Sequence, residues 1–122
     1  MTAKGFRIGN YFYNENNNVS IVRTIGIGQI NDFDVKEFKP IHLTEEWILR
    51  FGWLWNDECK SFEKPKHINM NLEYVKINNS YTMFNYVTKA LIRKRIWYVH
   101  QLQNLYFALT GEELITNNQN YD

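Results

Sequence analysis

Short alternating runs of apolar and polar residues open the chain. RIGNYFYN (residues 7–14) predicts a first strand, and NENNN (14–18) a polar turn. VSIVRTIGIG (19–28) predicts a second strand, because Val19, Ile21, Val22 and Ile25 are β-branched and such side chains pack well on a pleated surface. Gly26 and Gly28 suggest a bend or bulge near its end. INDFDVKEFKPI (30–41) alternates again, with Phe33, Val35 and Phe38 as inward positions of a third strand that Pro40 ends. Three short strands joined by tight turns predict a small, SH3-like antiparallel sheet.

The pattern then changes period. In HLTEEWILRFGW (42–53), Thr44 is placed as an N-cap, since its hydroxyl can accept a free backbone N–H of the first turn. Glu45 and Glu46 follow where the helix dipole favours negative charge. Leu43 and Ile48 are spaced as a hydrophobic staple, and Gly52 closes the helix. So short a helix must be held by packing, through Trp47, Ile48 and Phe51. WLWNDECKSFEK (53–64) predicts a hairpin turning at Asn56–Asp57, and residues 71–92 a second one turning at Asn78–Asn79. RKRIWYV (93–99) leads into a final helix, whose Val99, Leu102, Leu105, Tyr106 and Leu109 form one apolar stripe stopped by Gly111. The polar tail, 116–122, is expected to fray. The fold class is therefore α+β: an SH3-like antiparallel lobe, a short helix, further antiparallel strands, and a C-terminal helix packed on the sheet. We expect a single domain, 1–122, built from a lobe at 1–41 and a helix–β–helix lobe at 42–116.

The final helix has a second face that core packing does not require. His100, Asn104 and Phe107 recur at i, i+4 and i+7, with Gln103 adjacent. One reading is plain helix surface, or contact with a second copy of the chain. The other is a polar and aromatic wall for a ligand.

Composition narrows the function classes. With 14 basic and 13 acidic residues the net charge is only +1, which weighs against duplex DNA held by bulk electrostatics. Cys59 is the single cysteine, so no intrachain disulfide can form and nothing points to an oxidising compartment. No apolar run approaches the ~20 residues of a membrane span, and the opening MTAKGFRIGN lacks an apolar signal region. A soluble, cytoplasmic protein is expected. Aromatic residues reach 16%, which fits either a dense core with an oligomer interface or a surface that stacks on planar ligands.

Catalytic chemistry is hard to assemble. His42, His67 and His100 form neither H-x-H nor H-E-x-x-H, so a metal site has no local signature. Cys59 sits in a charged hairpin without an activating context, and the paired carboxylates of TGEEL fall just past a helix end. There is no G-x-S-x-G, Walker A or dinucleotide fingerprint, and no cofactor is implied. The residues instead favour binding. On a regular strand Arg93 and Arg95 share a face, with Lys94 pointing away, and guanidinium forks match phosphate oxygens. The plainer reading is a solvated edge strand, where basic residues oppose aggregation. Trp97 and Tyr98 follow at once, so phosphate-binding and base-stacking chemistry are adjacent.

RIGNYFY, KPIHLTEEWILRFGW and YVHQLQNLYFALTGEEL together resemble a family of small, uncharacterised proteins encoded by phages and prophages of Bacteroidetes. The resemblance runs over most of the chain, apart from the variable middle, 56–94. Its usual pattern reads I-P-L-T-E-E-W-L-L-K-F-G-F; here His42 replaces the proline and Trp53 stands at the final aromatic. The resemblance implies a phage context and residence in the host cytoplasm, and transfers no catalytic residue. By analogy with phage accessory proteins of this size, the expectation is a counter-defence protein that sequesters a nucleotide-type immune signal without catalysis, as a homo-oligomer. Its ligand-binding residues would be Arg93 and Arg95 for phosphates, Trp97 or Tyr98 for stacking, and His100 and Asn104 for base or ribose edges. Two alternatives are a module that binds a host protein or serves in the virion, and an RNA- or single-stranded-DNA-binding protein.

Overall fold

The computed structural model describes residues 5–22 and 39–116. The expected third strand, with Phe33, Val35 and Phe38, and the glycines at 26 and 28 lie outside the described residues. The class is α+β. The described chain divides into two units: 5–22, 39–42 and 98–115 form the first, and 43–97 with Thr116 the second. The division does not follow sequence order, because the C-terminal helix belongs with the start of the chain.

In the first unit β1 (Tyr11–Tyr13) pairs antiparallel with β2 (Val19–Ile21). The turn between them is built by Asn14, whose side-chain oxygen accepts from the backbone N–H of Asn16 at 2.9 Å and of Asn18 at 3.1 Å. Asn17 takes the left-handed conformation (φ 63°) that asparagine tolerates. Lys39 returns to exchange backbone hydrogen bonds with Tyr13 at 2.9 and 3.1 Å. The C-terminal helix spans Val99–Thr110, contacts β1, and ends at a left-handed Gly111. Phe6, Phe12 and Val22 form a buried cluster in this unit.

The second unit is a helix and a five-stranded antiparallel meander. Helix α1 (Glu45–Arg50) starts as the sequence predicts, with Thr44 Oγ1 accepting the Trp47 N–H at 3.5 Å. It ends in a paired-bond stop: Gly52 N–H donates to Leu49 O at 3.0 Å and Trp53 N–H to Ile48 O at 3.2 Å. Gly52 holds φ 101°, and an added Cβ would lie 2.9 Å from Lys64 Nζ, which itself donates to Phe51 O at 3.0 Å. Gly52→Ala is therefore expected to lower unfolding free energy by about 1–2 kcal/mol, the usual left-handed penalty of a Cβ, measurable by urea denaturation.

The strands are β3 (Leu54–Asn56), β4 (Ser61–Lys64), β5 (His67–Val75), β6 (Ser80–Phe84) and β7 (Leu91–Ile96), lying side by side in that order. With these in place the C-terminal helix is α2. Both predicted turns form, but the outgoing arm of the second hairpin ends at Phe84 and does not run on to Ile92, because residues 85–90 make a further turn. Asn56 accepts from the backbone of Glu58 and Cys59, and Asn79 turns at φ 54°. Cross-strand register puts Phe62 opposite Leu72, Leu72 opposite Met83, and Tyr81 opposite Ile96, so these share one face of the sheet. All five are buried, with Trp47, Ile48, Phe51, Trp53 and Met70 in the core of the same unit. Trp53 Nε1 donates to Met70 O at 2.7 Å, which satisfies its one polar atom inside that core. Burial raises the Tyr81 hydroxyl to about 12, with Glu45 and Tyr74 adding to the rise. The opposite face is the more open one: it carries exposed Leu54 and half-buried Glu63, Thr82 and Phe84 around a buried Asn71. Among the described residues no helix is long and apolar enough to cross a membrane.

Candidate functional site

The six ligand-binding residues expected from sequence fall in both units. Arg93, Arg95 and Trp97 lie in the second, and Tyr98, His100 and Asn104 in the first. Their local settings differ from the expected ones in ways the backbone explains.

Arg93 and Arg95 stand exposed on β7, an edge strand of the sheet. The strand is irregular. Leu91 pairs with Phe84, Arg93 with Met83, and Ile96 with Tyr81. Lys94 and Arg95 therefore both answer the single Thr82, and Lys94 O accepts from Thr82 Oγ1 at 3.1 Å. Such a bulge breaks the two-residue alternation, so Arg93 and Arg95 do not form the same-face pair that a regular strand would give. Trp97 is half-buried, and its Nε1 donates to Asn78 O at 3.3 Å. That bond ties the indole to the β5–β6 turn.

Tyr98 is the N-cap residue of α2; its backbone N–H donates to Gln101 Oε1 at 3.1 Å. Its ring stacks on His100 at 5.9 Å, and His100 stacks in turn on Phe6 at 4.0 Å and 18°. His100 is only 4% exposed, and its Nδ1 is buried without a hydrogen-bond partner among the described residues. Burial lowers its pKa to about 4, so the ring is neutral at pH 7. Asn104 donates to Gly5 O and accepts from Asn10 Nδ2 at 2.9 Å. Gln103 is fully buried and makes three bonds: Oε1 accepts the Tyr11 N–H at 2.9 Å, and Nε2 donates to Gly9 O and Leu114 O, each at 3.1 Å. Phe107 lies under the Arg7 guanidinium, 4.3 Å from the ring centroid, while Arg7 pairs with Glu113 at 2.7 Å. The second face of α2 is thus the seat of residues 5–11 of the same chain. Buried Val99, His100, Leu102, Gln103 and Tyr106 form the packed side of the helix, and Leu109 is exposed.

In the second unit a groove of about 220 Å³ is lined by residues of β3, β4 and β5 and of the loops beside them. Leu54 from β3, Ile68 from β5 and Tyr86 from the loop after β6 supply its apolar lining, and they are 60%, 61% and 41% exposed. Glu63, Lys64 and Lys66 bring charge, and Asn71 forms part of the floor. Asn71 is buried and donates to Ser61 Oγ at 3.2 Å. Glu63 is occupied by Asn56 Nδ2 at 2.6 Å. Lys64 turns away toward Phe51 O and the Trp53 ring, and burial lowers its pKa. Lys89 sits 4.6 Å from the Tyr86 ring centroid. Cys59 Sγ lies 3.1 Å from Ser61 Oγ, inside the β3–β4 turn. No group of three or more His, Cys, Asp or Glu side chains that could hold a metal occurs among the described residues. Sequence reasoning missed the groove because its residues are scattered over three strands and two turns, and only the sheet register collects them.

The described residues define an α+β protein whose five-stranded sheet is packed on one face and more exposed on the other. No protein-family model, curated protein or solved structure matches the chain.

Proposed function

We propose that this protein is a non-catalytic interaction module that docks a partner protein on the open face of its five-stranded sheet. In the phage setting implied by the sequence resemblance, that partner is a host protein. One observation carries the reading: Leu54, Ile68 and Tyr86 leave their apolar surface in a single groove, with Val87 and Leu91 exposed in the adjoining loop and strand. Clustered apolar surface of this kind is a mark of recognition sites. The size of the groove, about 220 Å³, selects among occupants. Sites that engulf a whole small molecule run to roughly 300–1,000 Å³, so this one suits a single protruding side chain.

Selection from a random peptide library tests the proposal. Enriched peptides are expected to lose about tenfold or more in affinity, on the order of 1.4 kcal/mol, on Ile68→Glu. They should keep it on Ile77→Glu, a residue 93% exposed in the β5–β6 turn and outside the groove. Enriched peptides that tolerate Ile68→Glu would remove the groove from the reading.

A second reading, sequestration of a nucleotide-type signal, is favoured by the β7 bulge, which sets exposed Lys94 and Arg95 together opposite Thr82. Native mass spectrometry of protein from a host with an active nucleotide-signalling defence would then release an intact nucleotide, lost on the double change Lys94→Ala and Arg95→Ala. Empty protein would count against it.

A further inference from the structure

We infer that the free edge of β3 receives an extended, acidic and apolar peptide segment of the partner as an added strand; this rests on the docking reading above and specifies its mode. The two edges of the sheet are unlike. Strand β7 carries Arg93, Lys94 and Arg95, all exposed, and two breaks in register. Charge and bulges on an edge oppose strand addition. Strand β3 has neither. Its three residues pair on one side only, Leu54 with Glu63, Trp55 with Phe62 and Asn56 with Ser61. The backbone on its other side meets no strand among the described residues. Both of its large side chains remain half-exposed or more, at 60% for Leu54 and 50% for Trp55.

Alternation gives the added strand two rows of contacts. Leu54 points to the groove side, so alternate side chains of the incoming segment would lie over Leu54, Ile68 and Tyr86. Trp55 points to the other side, edge-on to Phe62 at 5.0 Å between centroids, and would cover the remaining row. Backbone hydrogen bonds then supply affinity while the groove selects the side chain, the division of labour in recognition by strand addition.

Charge complementarity fixes the chemistry of the segment. Glu63 is held by Asn56, and Lys64 is turned toward Phe51. These bonds to neutral groups leave both charges in place, so the groove sets one carboxylate, Glu63, against Lys64 and Lys66 in its lining and Lys89 over Tyr86, a net positive balance. A carboxylate flanking the inserted apolar side chain meets these lysines; a basic residue would be repelled.

The probe is the most enriched library peptide, remade with a single backbone N-methyl group at each position in turn. An N-methyl removes one donor and keeps the side chain. Alternate positions are expected to lose about tenfold in affinity, the equivalent of one lost hydrogen bond near 1.4 kcal/mol. Lys66→Glu should weaken the same peptide, and the enriched set should be acidic. Uniform tolerance to N-methylation would overturn strand addition while leaving docking by side chains intact. A basic consensus would overturn the proposed chemistry. A concentration-dependent dimer abolished by Trp55→Lys would assign the edge to a second copy and overturn the peptide proposal. Failure to enrich any peptide would sink the docking reading together with this one.

Discussion

Gln103→Leu is expected to lower unfolding free energy by about 3–5 kcal/mol. The side chain is fully buried and serves three backbone groups at once: the Tyr11 N–H, the Gly9 carbonyl and the Leu114 carbonyl. Leucine fills a similar volume and serves none of them. Each buried polar group left unsatisfied costs about 1–3 kcal/mol, and partial relaxation keeps the total below the simple sum. Gln103→Glu separates the effects. Its carboxylate can still accept from Tyr11, but at neutral pH it sets negative oxygen against the two carbonyls. That variant should recover part of its stability on acidification, when the carboxyl regains a donor. Amide exchange at Tyr11 and along α2 reads both variants directly. A loss under about 1 kcal/mol for leucine would mean that these backbone groups find other partners.

Acidification should release a comparable amount through His100. Burial between Phe6 and Tyr98 lowers its pKa to about 4, against 6.5 for a free histidine. The folded state therefore resists protonation that the unfolded chain accepts. Between pH 6.5 and about 4 the unfolded state binds more protons, and stability falls as pH falls. It is fully present above pH 6.5 and levels off below about 4. The shift corresponds to about 3 kcal/mol at 1.36 kcal/mol per unit. Carboxylates titrate in the same range, so the readout is a difference between proteins. His100→Phe preserves a ring against Phe6, discards a buried Nδ1 that has no partner among the described residues, and should be as stable as the parent at pH 7. It should then lose less on going to pH 4.5. Identical pH profiles for the two proteins would show that His100 does not carry the acid response.

What could be read from the sequence was local chemistry. Thr44 and Gly52 delimit α1, asparagines turn the hairpins, and Gly111 stops α2, because each acts on backbone within a few residues of itself. The candidate site depended on longer-range facts. The Arg93–Arg95 pair assumed unbroken alternation, and β7 breaks it twice through a register that only β6 can impose. The face of α2 holding His100, Gln103 and Asn104 looked available because its partner, residues 5–11, lies some ninety positions earlier; the Asn104–Gly5 bond spans a separation of 99. One signal was present. Two adjacent amide side chains, Gln103 and Asn104, on a helix that also carries an apolar stripe suit the capture of irregular backbone as well as they suit a ligand. The groove had no linear signature, since Leu54, Ile68 and Tyr86 become neighbours only after three strands have paired.

The makeup of the first unit sets an order of events during synthesis. Its β1–β2 hairpin is translated before the second unit, but α2, which supplies Gln103 and His100, follows all five strands of that unit. At about 5–20 residues per second, the hairpin waits on the order of ten seconds for its helix. The middle of the chain, by contrast, is a contiguous meander that pairs neighbour with neighbour and can close as it emerges. A chain truncated after residue 98 would carry every strand of the five-stranded sheet, and a hairpin still without its helix.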